Sequence, residues 1–223
     1  EIDKIRSEEA NVLLLDAGDF SQGSPYFNFF NGRIETRAMK MMRYDAVTLG
    51  NHEFDNGLDT LAAVLKLVDL PIVNSNYGLE NTPIPPFVKP YLILHRGGLK
   101  IGVFGIGVNL RGLAFQKNYA GLELRDPLKA ATQTSDFLKN EQKCDLVICL
   151  SHLGTSAEDS SPTDYDLVAA TRNIDVVIGG HSHKILENVT ATNAAGKPVI
   201  IAQMGKSGLN MGRIDLMFEK QKQ

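Results

Sequence analysis

Short apolar runs alternate with longer amphipathic ones along this chain, and the apolar runs stop abruptly at glycine and polar residues. Residues 12–15, 46–49, 146–150 and 176–178 are nearly continuous in Leu, Val, Ile, Ala and Cys. Such runs read as strands buried on both faces, each feeding a loop. Residues 34–43 and 58–68 carry a helical period, the second with apolar side chains at 58, 61, 62, 65 and 68. A strand is expected at 71–73. Four prolines then make 78–90 an extended loop. Residues 91–95 and 99–106 flank Arg96-Gly97-Gly98 as a hairpin. Asp126-Pro127 opens a helix over 126–140, with Asp as N-cap and Pro at the first position, and a short helix is expected within 161–171. Strands close the chain at 198–203 and 210–218, joined by a Gly-Lys-Ser-Gly turn. The alternation predicts an α/β fold. Residues 1–9 have the composition of a helix end leading into the strand at 12–15.

The chemistry sits where the apolar runs end. The first runs into Asp16-Ala17-Gly18-Asp19, the second into Gly50-Asn51-His52-Glu53-Phe54-Asp55, the third into Ser151-His152, the fourth into Gly179-Gly180-His181-Ser182-His183. In an open α/β sheet, ligands collect at the carboxyl ends of the strands, so these four loops are expected at one edge. Their mixture of oxygen and nitrogen donors suits zinc and divalent transition metals. Taken singly, Gly-Asp is a common turn or N-cap and a lone His152 a satisfied loop histidine. A buried Asn-His with an Asp three positions on is costly unless each group is paired, and the double glycine before His181 lets backbone approach a ligand closely.

Bulk properties narrow the classes without choosing among them. The 223 residues fit one domain, able to bury roughly 70% of the surface of its unfolded chain. A net charge of -3 with no long basic run argues against nucleic acid as a partner. No apolar stretch approaches the ~20 residues of a membrane span, and no signal peptide opens the chain. Cys144 and Cys149, the only two cysteines, are five apart on one strand, ~16 Å between Cα atoms and beyond disulfide reach; both read as packing residues. His95 falls in the hairpin and reads as structural or solvent-facing. Phe27, Phe29 and Phe30 cover the site or pack. Asn188-Val189-Thr190 is a glycosylation sequon, and Lys206 lies in a turn.

The ordered set of Gly-Asp at 18–19, Gly-Asn-His-Glu-Phe-Asp at 50–55, Ser-His-Leu-Gly at 151–154 and Gly-Gly-His-Ser-His at 179–183 resembles the calcineurin-like metallophosphoesterases. Within them it is most similar to the catalytic domain of the 5′-nucleotidase and UDP-sugar hydrolase group. Gly205-Lys206-Ser207-Gly208 and Met211–Leu216 extend the likeness over essentially all of 1–223. The resemblance implies a two-sheet α-β-β-α sandwich holding two divalent metal ions such as Mn, Zn or Fe. It gives Asp19 the bridging position, Asn51, His152 and His181 one ion, and His183 the other. It places His52 beside the phosphate as general acid or electrostatic stabiliser, oriented by Asp55, with a metal-activated water attacking.

Two departures accompany the likeness. The family opens with a strand ending in Asp-x-His, which nothing here matches, so the first strand is expected to be missing. Nucleotidases of the group also carry a separate C-terminal nucleotide-binding domain, expected here as a partner beyond Gln223. The implied substrate is a nucleoside 5′-phosphate or another phosphate ester, with UDP-sugars and 2′,3′-cyclic nucleotides as alternatives. A non-catalytic metal- or phosphate-binding fragment is the other reading. The family implies a periplasmic or extracellular location.

Overall fold

The computed structural model describes residues 1–156 and 162–219. The strands are β1 (Leu15–Asp16), β2 (Ala46–Val47), β3 (Ile72–Val73), β4 (Tyr77–Gly78), β5 (Val88–Lys89), β6 (Tyr91–Arg96), β7 (Leu99–Ile106), β8 (Glu123–Leu124), β9 (Leu146–Ser151), β10 (Val176–Gly179), β11 (Ile185–Thr192) and β12 (Pro198–Met204). The helices are α1 (Ile2–Glu8), α2 (Pro25–Phe30), α3 (Arg33–Met42), α4 (Leu58–Leu65), α5 (Pro127–Asp136) and α6 (Asp164–Ala170). One sheet has the order β1-β2-β3-β5, all parallel. A second has the order β11-β12-β10-β9-β7-β6, parallel in its middle and antiparallel at both edges, and β4 and β8 pair antiparallel as a small third sheet. This is a mixed α/β fold.

The near-continuous apolar runs have a simple cause. In β9, Leu146, Ile148 and Leu150 point into a cluster shared with Ala46 and Val73 of the other sheet. Val147 and Cys149 point the opposite way, onto Ala131 of α5 and Leu167 and Val168 of α6. Period-two alternation is therefore present but both faces are apolar. A third cluster joins the first sheet to α3 and α4 through Met39, Val47, Leu61, Leu65 and Ile72. Gly105 lies at the contact between the sheets, where a Cβ would stand 2.2 Å from both Thr48 Oγ1 and the Val73 carbonyl. Both cysteines are buried and unbridged, within the cluster under α5 and α6.

Local signals account for most element ends. Asp126 accepts from the Leu128 and Lys129 N–H groups, with Pro127 at the first helical position. The helix then widens into a π turn over Phe137–Glu141. Thr163 and Asp166 form a reciprocal capping box ahead of α6; residue 161 of the expected helix lies outside the described residues. The hairpin turns through Gly97 and Gly98 at φ 58° and 82°, which suits a two-residue primed turn.

The chain departs from the sequence reading in three places. The prolines of 78–90 do not leave a pure loop, because Pro85–Phe87 makes a 3-10 turn that delivers β5 to the first sheet. Strand β11 has no counterpart in the apolar pattern; it alternates exposed and half-buried side chains on an outer edge, too polar to stand out. Residues 210–218 form no strand. Both edges of β12 are already taken, by β10 and β11, so the chain leaving it finds no ladder to join. Ile214 still reaches the cluster between the sheets, and Arg213 pairs with Glu9 and Asp215.

Candidate metal centre and the family of the chain

Parallel register brings the four motif loops to one end of the stack. Ile106, Ser151 and Gly179 are level across β7, β9 and β10, so His152 and His181 emerge side by side, their ring centroids 5.2 Å apart. In the other sheet Asp16 is level with Val47, which sets the Asp19 loop against Gly50 and Asn51. The approach is close. A Cβ on Gly18 would lie 2.5 Å from the Gly50 N, and one on Gly50 would lie 2.2 Å from Asp19 Oδ1 and 2.7 Å from His152 Nε2. Only glycine fits at these positions, and Gly18 also sits at φ 89°.

Asp19, His152 and His181 each offer one ligand atom, and these atoms lie within 4.8 Å of one another. Asp19 has a left-handed backbone, φ 61°. Its Oδ1 accepts from the His52 N–H at 2.9 Å. Its Oδ2 stands 3.0 Å from His152 Nε2 without the alignment of a hydrogen bond. The Nδ1 of His152 lies 2.6 Å from the Ala17 carbonyl. A carbonyl can only accept, so Nδ1 carries a proton, and Nε2 is the ring nitrogen that faces Asp19. Among the described residues this buried ring nitrogen has no hydrogen-bond partner. Such a nitrogen beside a carboxylate, fixed by a backbone carbonyl behind it, is the arrangement of a metal-binding histidine. The residues fit a divalent ion.

His181 Nδ1 is 3.1 Å from Asn51 Oδ1, which brings Asn51 into the same group. His52 and Asp55 form a separate pair, Nδ1 to Oδ2 at 2.7 Å, about a third exposed at the rim. His183 is exposed and lies outside the cluster, two residues on in the same loop. His181 and His183 both have left-handed backbones, at φ 65° and 54°.

The charges at the site oppose one another. Burial would raise Asp19, but His152 beside it and the hydrogen bonds it accepts hold it at about 2. Burial lowers His152, and the Asp19 carboxylate overcomes this and raises it.

Glu53, within the most informative motif, has a role that the sequence pattern does not reveal. It is buried, and its carboxylate accepts from three backbone N–H groups: Asp19 at 2.9 Å, Ser21 at 3.1 Å and Gly50 at 2.6 Å. It ties the Asp19 loop to the Asn51 loop. Burial and the nearby Asp19 charge push it up to about 7. The available signal is a charged residue among buried neighbours, which needs partners.

The sequence pattern of the calcineurin-like phosphoesterase family matches residues 1–185. The chain belongs to that family. Within it, the chain is related to the group containing 5′-nucleotidases, UshA and YfkN. It is 30% identical to the trifunctional nucleotide phosphoesterase protein YfkN of Bacillus subtilis, over 99% of this chain and 17% of that one. It is 33% identical to a snake venom 5′-nucleotidase of Naja atra, over 98% of this chain and 43% of that one. The crystal structure of a 5′-nucleotidase precursor from Thermus thermophilus superposes with a TM-score of 0.83 at 28% identity, covering 92% of this chain and 42% of that one. The chain thus spans less than half the length of each of these relatives. No helix among the described residues is long and apolar enough to cross a membrane.

Proposed function

We propose that this phosphoesterase domain hydrolyses phosphate monoesters of nucleosides, with divalent metal ions at the Asp19 cluster. The observation that carries this reading is the His152 ring, fixed by the Ala17 carbonyl so that its Nε2 faces Asp19 and His181. Asp19, Asn51, His152 and His181 would hold one ion. Asp19 would be shared with a second, toward His183. When bound, such ions lower the pKa of water and offset charge on phosphoryl oxygens. The stacked sheets with helices on their outer faces are read as the α-β-β-α sandwich of the family.

The chain's own residues supply the rest. Asp55 fixes the His52 ring through Nδ1, leaving Nε2 to face a substrate and pass a proton to the departing nucleoside oxygen. The His52 N–H also orients Asp19, so the proton donor and the carboxylate keep a fixed separation. The Glu53 clamp keeps this arrangement in place before substrate arrives.

Nucleoside 5′-phosphates are the favoured substrates because the named relatives are 5′-nucleotidases and a nucleotide phosphoesterase. UDP-sugars and 2′,3′-cyclic nucleotides are the alternative within the same chemistry. Base selection is assigned to a nucleotide-binding domain of the kind that the relatives' greater length accommodates. The venom source of one relative supports a periplasmic or extracellular location. The test is phosphate release from AMP with Mn2+ or Zn2+ present and after chelation. Metal-dependent release abolished by Asp19→Ala supports the reading; release that survives both treatments refutes it.

A further inference from the structure

The loop carrying His181 and His183 is held in an unfavourable shape. Two non-glycine residues with left-handed backbones, His181 and His183, flank Ser182, a conformation disfavoured for any residue with a Cβ. Something must over-determine that conformation. The Ser182 N–H bonds to the Gly180 carbonyl at 2.8 Å, but this reaches only the first half of the loop.

We propose that Gln203 is the positioning residue for this loop, its side-chain oxygen stitching together the residues on either side of His183. Gln203 lies on β12, 1% exposed, between β10 and β11 in the sheet. Its Oε1 accepts from the Ser182 hydroxyl at 3.0 Å and from the Lys184 N–H at 2.6 Å. The convergence of two donors fixes which end of the amide faces the loop. Ser182 Oγ is held in turn by the Thr155 N–H at 3.1 Å, with Thr155 Oγ1 at 3.0 Å. Thr155 lies three residues beyond His152, so one partly buried network ties together the loops that carry His152 and His181. The other end of the amide, Nε2, turns back toward Gly179.

The consequence for metal binding rests on the proposed function, but the consequence for loop order does not. Removing an outer partner of a metal-binding histidine loop weakens affinity by about 10–100-fold. Losing the buried acceptor of the Lys184 N–H opens that bond by about tenfold or more.

The experiment compares wild type, Gln203→Met, Ser182→Ala and the double variant. Met conserves length and removes the acceptor. Amide hydrogen exchange is followed without metal at Lys184 and along Leu146–Ser151, and Mn2+ affinity is measured separately. Gln203→Met is expected to speed exchange at Lys184 by about tenfold while β9 keeps the wild-type rate. The double variant should be no worse than Gln203→Met, because both act through one network. Wild-type exchange at Lys184 in Gln203→Met, or an equal rise across β9, would overturn the proposal. If Lys184 responds as expected and wild type binds no Mn2+, loop positioning stands and the proposed function fails. If wild type binds Mn2+ and Gln203→Met binds it equally well, Gln203 does not position the ligands.

Discussion

The Nδ1 of His152 donates to the carbonyl of Ala17 at 2.6 Å, across 135 residues of chain. Ala17 lies two residues before Asp19, so the bond that sets the orientation of the histidine ring also fixes the loop bearing the carboxylate it faces. The two sheets, the ligand geometry and the electrostatics of the site meet at this one contact. Gly180 permits it, since a Cβ there would stand 2.9 Å from both the Ala17 carbonyl and His152 Nδ1.

His52 and the metal cluster are separable. His52→Ala removes the side chain aimed at substrate while its backbone N–H still serves Asp19. Turnover should fall by about 10²–10⁴-fold, the usual range for general acid–base catalysis, with metal content unchanged. Steady-state kinetics beside metal analysis of the same preparations checks this; loss of metal in the variant would contradict the assignment.

Glu53→Ala removes the side-chain acceptor of three backbone N–H groups around a buried position. Each unsatisfied donor costs about 1–3 kcal/mol, so a loss of about 3 kcal/mol or more is expected in urea unfolding, together with weaker metal binding. A variant as stable as wild type would show that the Asp19 and Asn51 loops are held by other means.

The α/β alternation, the helices other than α2 (Pro25–Phe30), and the placing of the Asp19, His152 and His181 loops at strand ends were legible in the sequence, because each apolar run stops at its loop; the pairing of strands into sheets was not. Val147 and Cys149 facing one way while Ile148 and Leu150 face the other explains why the runs read as buried. Edge relationships were not legible. The alternation in 210–218 resembles that of a strand, but whether a free edge lies beside it depends on β11, which the sequence hides in polar residues. The roles of Glu53 and Gln203 were also hidden, because their partners are backbone N–H groups and hydroxyls that carry no compositional signal.

Asp164 predicts a pH dependence of stability. It is fully buried, and among the described residues neither oxygen has a hydrogen-bond partner of good geometry. Burial raises it from 3.8 to about 7, which nearby Ser151 and His152 only partly offset. The folded state therefore keeps a proton that the unfolded chain releases above about pH 4. Stability falls as pH rises between those values and levels off above about 7, by up to ~4 kcal/mol. Asp164→Asn should flatten that part of the profile, measured by denaturant unfolding between pH 5 and 8. An unchanged slope would show that the pH dependence arises from another group.

The most direct test of the account is anomalous diffraction from crystals of the protein grown with Mn2+ or Zn2+. A peak within bonding distance of Asp19 Oδ, His152 Nε2 and His181 is predicted, lost in Asp19→Ala while the fold is kept. A fully ordered site with no metal density there at saturating ion, or a peak held by other residues with His152 Nε2 turned away, would contradict it.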